Sequence, residues 1–279
     1  AGLDLDMNTK RPFLCIYKLT KNQADASIID NWYFKYCVGM NLEHNFWVFE
    51  EAIPANICDK IILTGESEIR NGKGLSATTG GNCSINNGNR KKPLNEKTFA
   101  EISDAGENEE DYYIRDSEIA WLSHKWLYDL ITPYVFSTNE NAGWHWDIDL
   151  FEDIQYTKYE NSGFYGWHND GGSDHHAKYK RKIYGVTPDE DGYIRFDNHI
   201  GKVRKISITV NLSDGDSYVG GDLKLDNSTD GIRNVVTNDA FRKKGTVIVF
   251  PSFLPHCVTP VTEGVRRSLV MWSLGNPWK

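Results

Sequence analysis

From about residue 143 onward, apolar and polar residues alternate with a period of two. Successive side chains on a β-strand point to opposite faces, so this pattern predicts strands that each have one apolar face. The alternation is strict over Ile206, Ile208, Val210 and Leu212. The segments that show it are 144–150, 154–159, 206–212, 246–250 and 267–272. Several strands separated by glycine turns, with few helices, predict a mainly β fold of the sandwich or barrel type.

The first half of the chain is predicted to supply helices that support this β-core. Pro54 suits the first turn of a helix, where its missing N–H is not needed. A second helix is predicted from about Asp116 to Thr132, because apolar residues recur there at helical spacing and Pro133 ends the pattern.

The organisation that we expect is one domain over residues 45–279 of the 279-residue chain. Within it, helical support extends over about 54–142 and the β-core over about 143–279. Residues 1–44 mix apolar and polar residues without a clear period and are interpreted as an N-terminal extension of unassigned role.

Composition and charge exclude several classes of protein. The formal net charge is −8, which disfavours a nucleic-acid partner because such proteins usually carry a basic excess. We find no apolar run long enough to cross a bilayer and no secretory leader, so no membrane partner is expected. The five cysteines are widely spaced and contain no CxxC pair, which is typical of reduced thiols. We therefore expect a cytoplasmic enzyme or binding domain.

A metal site is predicted from two histidines and one carboxylate. His168 and Asp170 are separated by one residue, so a strand would turn both side chains to the same face. The same short pattern occurs at His145 and Asp147, so it is weak by itself. His256 follows His168 by 88 residues. Two histidines and one carboxylate from different strands form the facial triad of non-haem Fe(II) sites.

Arg266 is a candidate anion-binding residue. It lies ten residues after His256, and Arg266, Ser268 and Trp272 fall on one face of a predicted strand, with Arg267 on the other. A guanidinium that points into a β-core needs an anionic partner, and a carboxylate suits it because both groups are planar and can pair through two hydrogen bonds.

These residues together resemble the Fe(II)/2-oxoglutarate-dependent dioxygenases, and among them the prolyl 4-hydroxylase branch with its bacterial and viral members. Tyr159 and Tyr165, nine and three residues before His168, resemble the tyrosines of that branch. The segment 220–223, Gly-Gly-Asp-Leu, resembles its glycine turn.

Two further motifs extend the resemblance and one position departs from it. Arg115 and Ser117 resemble an R-x-S motif, and Trp272, sixteen residues after His256, stands where collagen-type hydroxylases carry tryptophan. Collagen-type enzymes usually have lysine at the position of Arg266, whereas the oxygen-sensing and bacterial relatives have arginine.

The resemblance implies a double-stranded β-helix, that is, a jelly-roll of two sheets. It also implies Fe(II), 2-oxoglutarate and O2 as cofactors, with ascorbate as a further candidate. The implied metal ligands are His168, Asp170 and His256. The implied 2-oxoglutarate residues are Arg266, Tyr159 and Ser268. The candidates for the substrate wall are Tyr165, Trp167 and Trp272.

Three functional hypotheses follow. The preferred one is hydroxylation of a prolyl residue in a peptide or protein, with succinate and CO2 as coproducts. The second is the same chemistry on a free amino acid, a small metabolite or another target such as an alkylated base. The third, which the complete triad and Arg266 disfavour, is a non-catalytic jelly-roll that binds a ligand or metal. The long insert after Asp170, over about 171–202, is interpreted as a lid, a substrate clamp or a variable surface loop.

Overall fold

The computed structural model describes residues 45–77, 92–93, 112–113, 115–171, 202–227 and 234–278. The predicted extension 1–44 and almost all of the insert 171–202 lie outside these ranges. Two α-helices are described, α1 (Ala55–Glu68) and α2 (Lys125–Asn141). Neither of them combines the length and the apolar character that a bilayer crossing requires. A short helical extension, Ile69–Lys73, follows α1, and two single 3₁₀ turns cover Gly215–Ser217 and Asp239–Arg242.

The described ranges contain seventeen strands, which are numbered here in chain order. They are β1 (Trp47–Phe49), β2 (Leu75–Ser76), β3 (Lys92–Pro93), β4 (Tyr112–Tyr113), β5 (Arg115–Asp116), β6 (Glu118–Leu122), β7 (Leu150–Phe151), β8 (Ile154–Tyr159), β9 (Phe164–His168), β10 (Val203–Asn211), β11 (Tyr218–Gly220), β12 (Leu223–Asp226), β13 (Val235–Val236), β14 (Val247–Pro251), β15 (His256–Val258), β16 (Val261–Gly264) and β17 (Arg266–Gly275).

Most of these strands belong to two sheets. The larger sheet has the order β1-β14-β10-β17-β8-β6-β2, with β7 added beside β17, and the smaller has the order β13-β12-β15-β9-β5. Two-stranded pairs, β11 with β16 and β3 with β4, complete the strands that the described ranges contain. Strands that are distant in sequence are neighbours in both sheets. The prediction of a mainly β fold with supporting helices is confirmed.

Two hydrophobic clusters show how the helices and the two sheets pack on one another. In the first, α1 and α2 cover one face of the larger sheet, where Ile206, Ile208 and Val210 of β10 are buried. In the second, side chains of the two sheets meet, including Phe250 of β14 and Val258 of β15. The molecule is therefore layered as helices, larger sheet and smaller sheet, and the cavity described below lies between the two sheets.

The helix predicted from Asp116 to Thr132 is wrong in its first part. Residues 118–122 form β6, which pairs with β8, and α2 begins only at Lys125. The buried Ile119 and Leu122 are spaced three apart, a spacing that suggests a helix, but strand pairing decides the conformation. Its end is also wrong, because Pro133 lies inside α2. Proline removes one backbone hydrogen bond. The helix α2 nevertheless continues beyond Pro133 to Asn141, and Val135 in this part of it is buried.

The strand predicted over 144–150 is also wrong, because only Leu150–Phe151 is extended and paired there. His145 has a left-handed backbone conformation, with φ of 48°, which breaks an extended chain. The side chain of Asn139 accepts from the N–H of Trp146 and donates to its carbonyl. This side chain replaces the hydrogen bonds that a neighbouring strand would make.

Candidate functional site

Strand pairing brings the two predicted histidine ligands together. His168 ends β9, His256 begins β15, and the two residues are direct partners across this antiparallel pair. Asp170 follows β9 by two residues, and its carboxylate oxygens lie 3.6 Å from Nε2 of His168 and 3.4 Å from Nε2 of His256. Candidate ligand atoms of all three side chains lie within 4.8 Å of one another.

The hydrogen bonds of both imidazoles leave Nε2 available to a metal. Nδ1 of His168 lies 2.8 Å from the carbonyl oxygen of Gly166, and Nδ1 of His256 lies 2.9 Å from that of Leu254. A carbonyl only accepts, so each Nδ1 carries the hydrogen and each Nε2 carries a lone pair. Nε2 of His168 is buried and has no hydrogen-bond partner among the described residues. This orphaned lone pair, beside a carboxylate, fits a divalent metal ion.

Burial and mutual charge set the protonation of the cluster. Burial, and then the neighbouring imidazole of His256, lowers the pKa of His168 to about 4. Burial by itself would raise the pKa of Asp170, but the two adjacent imidazoles, His256 foremost, favour its ionised form and hold the pKa well below its usual range. At neutral pH the cluster therefore offers a carboxylate and a neutral imidazole at His168, which are the forms that bind metal.

The carboxylate of Asp170 is anchored by two serines. The hydroxyl of Ser207, on β10, donates to Oδ2 of Asp170 at 2.7 Å, and it lies 3.0 Å from the hydroxyl of Ser252. The backbone N–H groups of Asp170 and Gly171 both donate to the carbonyl oxygen of Ser252. The carboxylate is therefore fixed by hydrogen bonds, which restricts its rotation before any metal binds.

A buried ion pair supports the same loop. The guanidinium of Arg204 donates to both carboxylate oxygens of Glu152, at 2.6 and 2.5 Å, and to the backbone carbonyl of Asp170 at 3.2 Å. It also stacks on the ring of Trp272, 3.8 Å from the ring centroid. Glu152 is fully buried, so the ion pair is held rigidly. Through Arg204 it links the segment that carries Asp170 to the larger sheet.

The three predicted wall residues are placed differently. Tyr165 and Trp272 line the cavity that holds the triad, but Trp167 does not. Strict alternation would put Tyr165 and His168 on opposite faces of β9. The register shifts between β9 and β15 so that two residues of β9, Gly166 and Trp167, lie opposite the single residue Cys257 of β15, which is a β-bulge. The rings of Tyr165 and His168 consequently stack, with centroids 3.4 Å apart, whereas Trp167 is buried outside the cavity lining.

Arg266 occupies the same cavity as the triad. It is 3% exposed, donates to the hydroxyl of Ser268 at 3.3 Å and lies 5.5 Å from the ring centroid of Tyr159. Gly221, with φ of 66°, covers it so closely that a Cβ at this glycine would lie 3.0 Å from Cδ of Arg266. Among the described residues no carboxylate lies within 4.0 Å of its guanidinium. Arg267 points to the other face, where it pairs with Glu66.

A second buried guanidinium lines this cavity, and the sequence showed it only as part of a motif. Arg115 donates to the hydroxyl of Ser117 at 2.9 Å and to Oε1 of Gln155 at 2.7 Å. Its guanidinium lies 4.4 Å from the ring centroid of Tyr165. Sequence reasoning also missed Gln155, Ser207, Arg204 and Glu152. The strict alternation of β10 puts Ser207 at a polar position, which ordinarily faces solvent, so no local signal marked it.

The second copy of the His-x-Asp pattern does not form a metal site in the structure. The His145 side chain is 61% exposed and lies 3.3 Å from the carboxylate of Glu140. Asp147 accepts from the backbone N–H of Asn276 and pairs with Lys205. No further cluster of potential metal ligands occurs within the described part of the chain.

A protein-family model matches part of the chain. Residues 154–274 match the family model described as the 2OG-Fe(II) oxygenase superfamily. The chain is similar to the PKHD-type hydroxylase YbiX of Escherichia coli O1:K1, with 34% identity over 123 residues, and equally to that of Escherichia coli strain SMS-3-5. These matches cover 42% of this chain and 40% of each relative, so less than half of the curated relatives is represented.

Comparison with solved structures shows the fold. A prolyl-4-hydroxylase from Pseudomonas putida matches with a TM-score of 0.50 and 18% identity, covering 82% of this chain and 92% of that one. A prolyl hydroxylase from Trichoplax adhaerens, in complex with a hypoxia inducible factor peptide fragment, matches with a TM-score of 0.53 and 16% identity, covering 88% and 91%. The expected jelly-roll core is confirmed by these likenesses.

Proposed function

We propose that this chain is a 2-oxoglutarate-dependent dioxygenase that hydroxylates a C–H bond of its substrate, because residues 154–274 match the model of the 2OG-Fe(II) oxygenase superfamily. The observation that carries this proposal is one cavity whose lining combines the His168, Asp170 and His256 cluster with the buried guanidinium of Arg266. The family implies Fe(II), 2-oxoglutarate and O2, and these residues fit them.

The chain's own residues have separate tasks in this reaction. His168, Asp170 and His256 would hold Fe(II), and a set of three protein ligands would leave room for a chelating cosubstrate and O2. When bound together, Fe(II), 2-oxoglutarate and O2 supply an oxidant that hydroxylates an unactivated C–H bond, with succinate and CO2 as coproducts.

The remaining lining residues bind and shield. Arg266 pairs with the far carboxylate of 2-oxoglutarate, assisted by the Ser268 hydroxyl and by Tyr159 at the same end of the cavity. Tyr165 and Trp272 form walls that exclude water from the reacting centre. Burial raises the pKa of Tyr165, so its phenol stays protonated and remains available as a hydrogen-bond donor.

For the substrate we propose a prolyl residue in a peptide or protein. Two observations support this choice. The solved structures that share the fold are prolyl hydroxylases, and one of them is in complex with a peptide fragment. The cavity also presents aromatic rings at Tyr165 and Trp272, which suit the flat apolar ring of proline.

We also propose that the protein acts in the cytoplasm, which its buried thiols at Cys58 and Cys257 suit.

The test is turnover of 2-oxoglutarate together with mass spectrometry of the substrate. Purified protein is incubated with Fe(II), 2-oxoglutarate, ascorbate and a panel of proline-containing peptides. We expect succinate formation and the gain of one oxygen atom on proline. His168→Ala should abolish both, whereas His145→Ala, which changes the exposed copy of the motif, should leave both unchanged.

The outcomes separate the parts of the proposal. Succinate formation without an oxygen gained on any proline would overturn the prolyl substrate and keep the oxygenase. Loss of activity in His145→Ala but not in His168→Ala would overturn the metal site. Omission of ascorbate from parallel reactions shows whether it is needed.

A further inference from the structure

We propose that Arg115 binds a carboxylate of the substrate, so that the chain hydroxylates molecules that carry a carboxylate close to the reacting C–H bond. This inference rests on the proposed oxygenase function and names the class of substrate that the site selects. Arg115 is 7% exposed and lines the cavity that contains the metal cluster.

The partners of Arg115 do not neutralise its charge. The Ser117 hydroxyl, the Gln155 side-chain carbonyl and the Tyr165 ring are all neutral. No carboxylate of the described ranges lies within 4.0 Å of its guanidinium. A buried charge that meets only dipoles remains costly, and an anion that enters the cavity would relieve this cost.

Other arginines in the described ranges pair with a carboxylate. Arg204 pairs with Glu152, Arg242 pairs with Asp222, and Arg267 pairs with Glu66. Arg115 and Arg266 are deeply buried and have no such partner among the described residues. Both of them line the same cavity. Both arginines therefore point to anionic ligands of that cavity.

The charges of the cavity lining, with both proposed ligands bound, would still be balanced by one more anion. Among the described lining residues, Arg115 and Arg266 each carry a positive charge and Asp170 carries a negative one. A divalent metal adds two positive charges, and 2-oxoglutarate removes two. One positive charge remains uncompensated, which a single carboxylate on the substrate would balance.

The two arginines approach the cavity from different sheets. Arg266 lies on β17 of the larger sheet, opposite Tyr159. Arg115 lies on β5 of the smaller sheet, opposite Tyr165, whose ring stacks on the metal ligand His168. The Arg115 site is therefore on the side of the metal ligands and is separate from the site that 2-oxoglutarate occupies.

Three kinds of substrate present a carboxylate in this way, and paired probes distinguish them. The first pair is free L-proline and L-prolinamide. The second is a peptide that ends in proline as the free acid and the same peptide as the amide. The third is a peptide with an internal proline next to aspartate and its asparagine counterpart. The members of each pair differ by one negative charge and have nearly the same shape.

The experiment measures hydroxylation and binding for each pair, with wild type and variants. Binding is measured on protein loaded with Mn(II) and 2-oxoglutarate, by calorimetry. In at least one pair, wild type should favour the charged member by about 10- to 100-fold, which corresponds to one hydrogen-bonded charge pair. Arg115→Gln should remove this preference, Arg115→Lys should keep part of it, and the exposed Arg70→Gln should keep all of it.

Three outcomes would overturn the inference. Equal binding of charged and neutral members in all three pairs would show that the cavity does not select a carboxylate. A loss in Arg115→Gln that is the same for both members would show a structural role. A weaker affinity for 2-oxoglutarate in Arg115→Gln, as large as that in Arg266→Gln, would place Arg115 in the cosubstrate site.

The binding measurement separates this inference from the proposed function. If wild type binds Mn(II) and discriminates by charge but forms no succinate with Fe(II), the oxygenase proposal fails and the carboxylate site stands. If succinate forms but no pair is discriminated, the inference fails and the oxygenase proposal stands. Circular dichroism and the thermal midpoint of each variant show that it is folded.

Discussion

At the scale of single residues, each ligand of the proposed metal site depends on one identifiable neighbour. A backbone carbonyl orients each imidazole through Nδ1, and Ser207 holds the carboxylate of Asp170. Such partners fix the direction in which a ligand atom points, and their loss weakens metal binding without removing a ligand.

Replacement of Ser207 by alanine tests this dependence. Ser207→Ala should weaken Mn(II) binding by about 10- to 100-fold, because Asp170 loses the donor that holds one of its oxygens. Isothermal titration calorimetry of the metal-free protein measures the affinity. Ser217→Ala removes a hydroxyl that bonds only a local turn and should leave the affinity unchanged. Equal affinities in wild type and Ser207→Ala would contradict the anchoring role.

At the scale of secondary-structure elements, the support of the site by α1 depends on one close approach. Gly65 of α1 packs on the ring of Tyr156 of β8, and a Cβ at this glycine would lie 2.3 Å from the ring. Tyr156 is fully buried, so its ring has little room to move away. Its hydroxyl donates to Glu66, which also accepts from Arg267 of β17. One turn of α1 therefore contacts both strands that carry the proposed 2-oxoglutarate residues.

Enlarging the glycine should destabilise the protein. Gly65→Ala places a methyl group inside the contact distance of Tyr156 and should lower the free energy of unfolding by about 1–3 kcal/mol. Urea denaturation measures this change. Leu63→Ala, at an exposed position of the same helix, is the control and should change the stability little. A Gly65→Ala variant as stable as wild type would show that α1 can shift away from the sheet at no cost.

The contact of Glu66 should make stability depend on pH. Burial by itself would raise the pKa of Glu66, but hydrogen bonds from Arg267 and Tyr156 lower it below its ordinary value of 4.5. The ionised form therefore stabilises the folded state. This contribution is complete above the unfolded-state pKa and is lost as the pH falls through the lower folded-state pKa.

Urea denaturation at a series of pH values checks this direction. The difference in unfolding free energy between wild type and Glu66→Gln should be constant near neutral pH and should shrink on acidification below about pH 4.5. Asp216→Asn, at an exposed position, serves as the matched control. A difference that grows on acidification would contradict the assignment.

Element boundaries were the least predictable part of the fold. The alternation of residues 154–159, 206–212, 246–250 and 267–272 predicted β8, β10, β14 and β17, because a period of two over several residues is a local property of strands. The segment that became β6 and the first turn of α2 was misread as one helix. Its apolar spacing fits both structures, and only pairing with β8, far along the chain, decides between them.

At the scale of the whole molecule, the site joins the two sheets. The two histidines belong to β9 and β15 of the smaller sheet, whereas Arg266 belongs to β17 of the larger one. A metal ion and 2-oxoglutarate that bind together would connect the sheets through the cavity. Ligands that bind only the folded state stabilise it by an amount that grows with the logarithm of their concentration relative to the dissociation constant.

The thermal midpoint should therefore rise when both ligands are present. At concentrations of about 100 times the dissociation constant, each ligand stabilises the folded state by about 2.7 kcal/mol, which corresponds to several degrees. Differential scanning calorimetry with Mn(II) and 2-oxoglutarate measures the shift. His168→Ala should lose the response to metal and His145→Ala should keep it. A wild-type midpoint that neither ligand changes would contradict a joint site between the sheets.

The residue types and their spacings determined by themselves that this chain is mainly β and that Arg266 and Arg267 face opposite ways. These properties are local, since the period of a strand and a separation of two residues need no distant partner. The tertiary structure decided which copy of the His-x-Asp pattern meets His256, because strand pairing aligns residues that lie 88 positions apart.

It also decided that Tyr165 stacks on His168 in the cavity whereas Trp167 is buried outside the cavity lining, and that Ser207 of β10 reaches the carboxylate of Asp170. The position of Arg115 in the cavity was decided in the same way, because the lining combines side chains from many strands. Register and enclosure are set by long-range pairing, and no local pattern in the sequence records them.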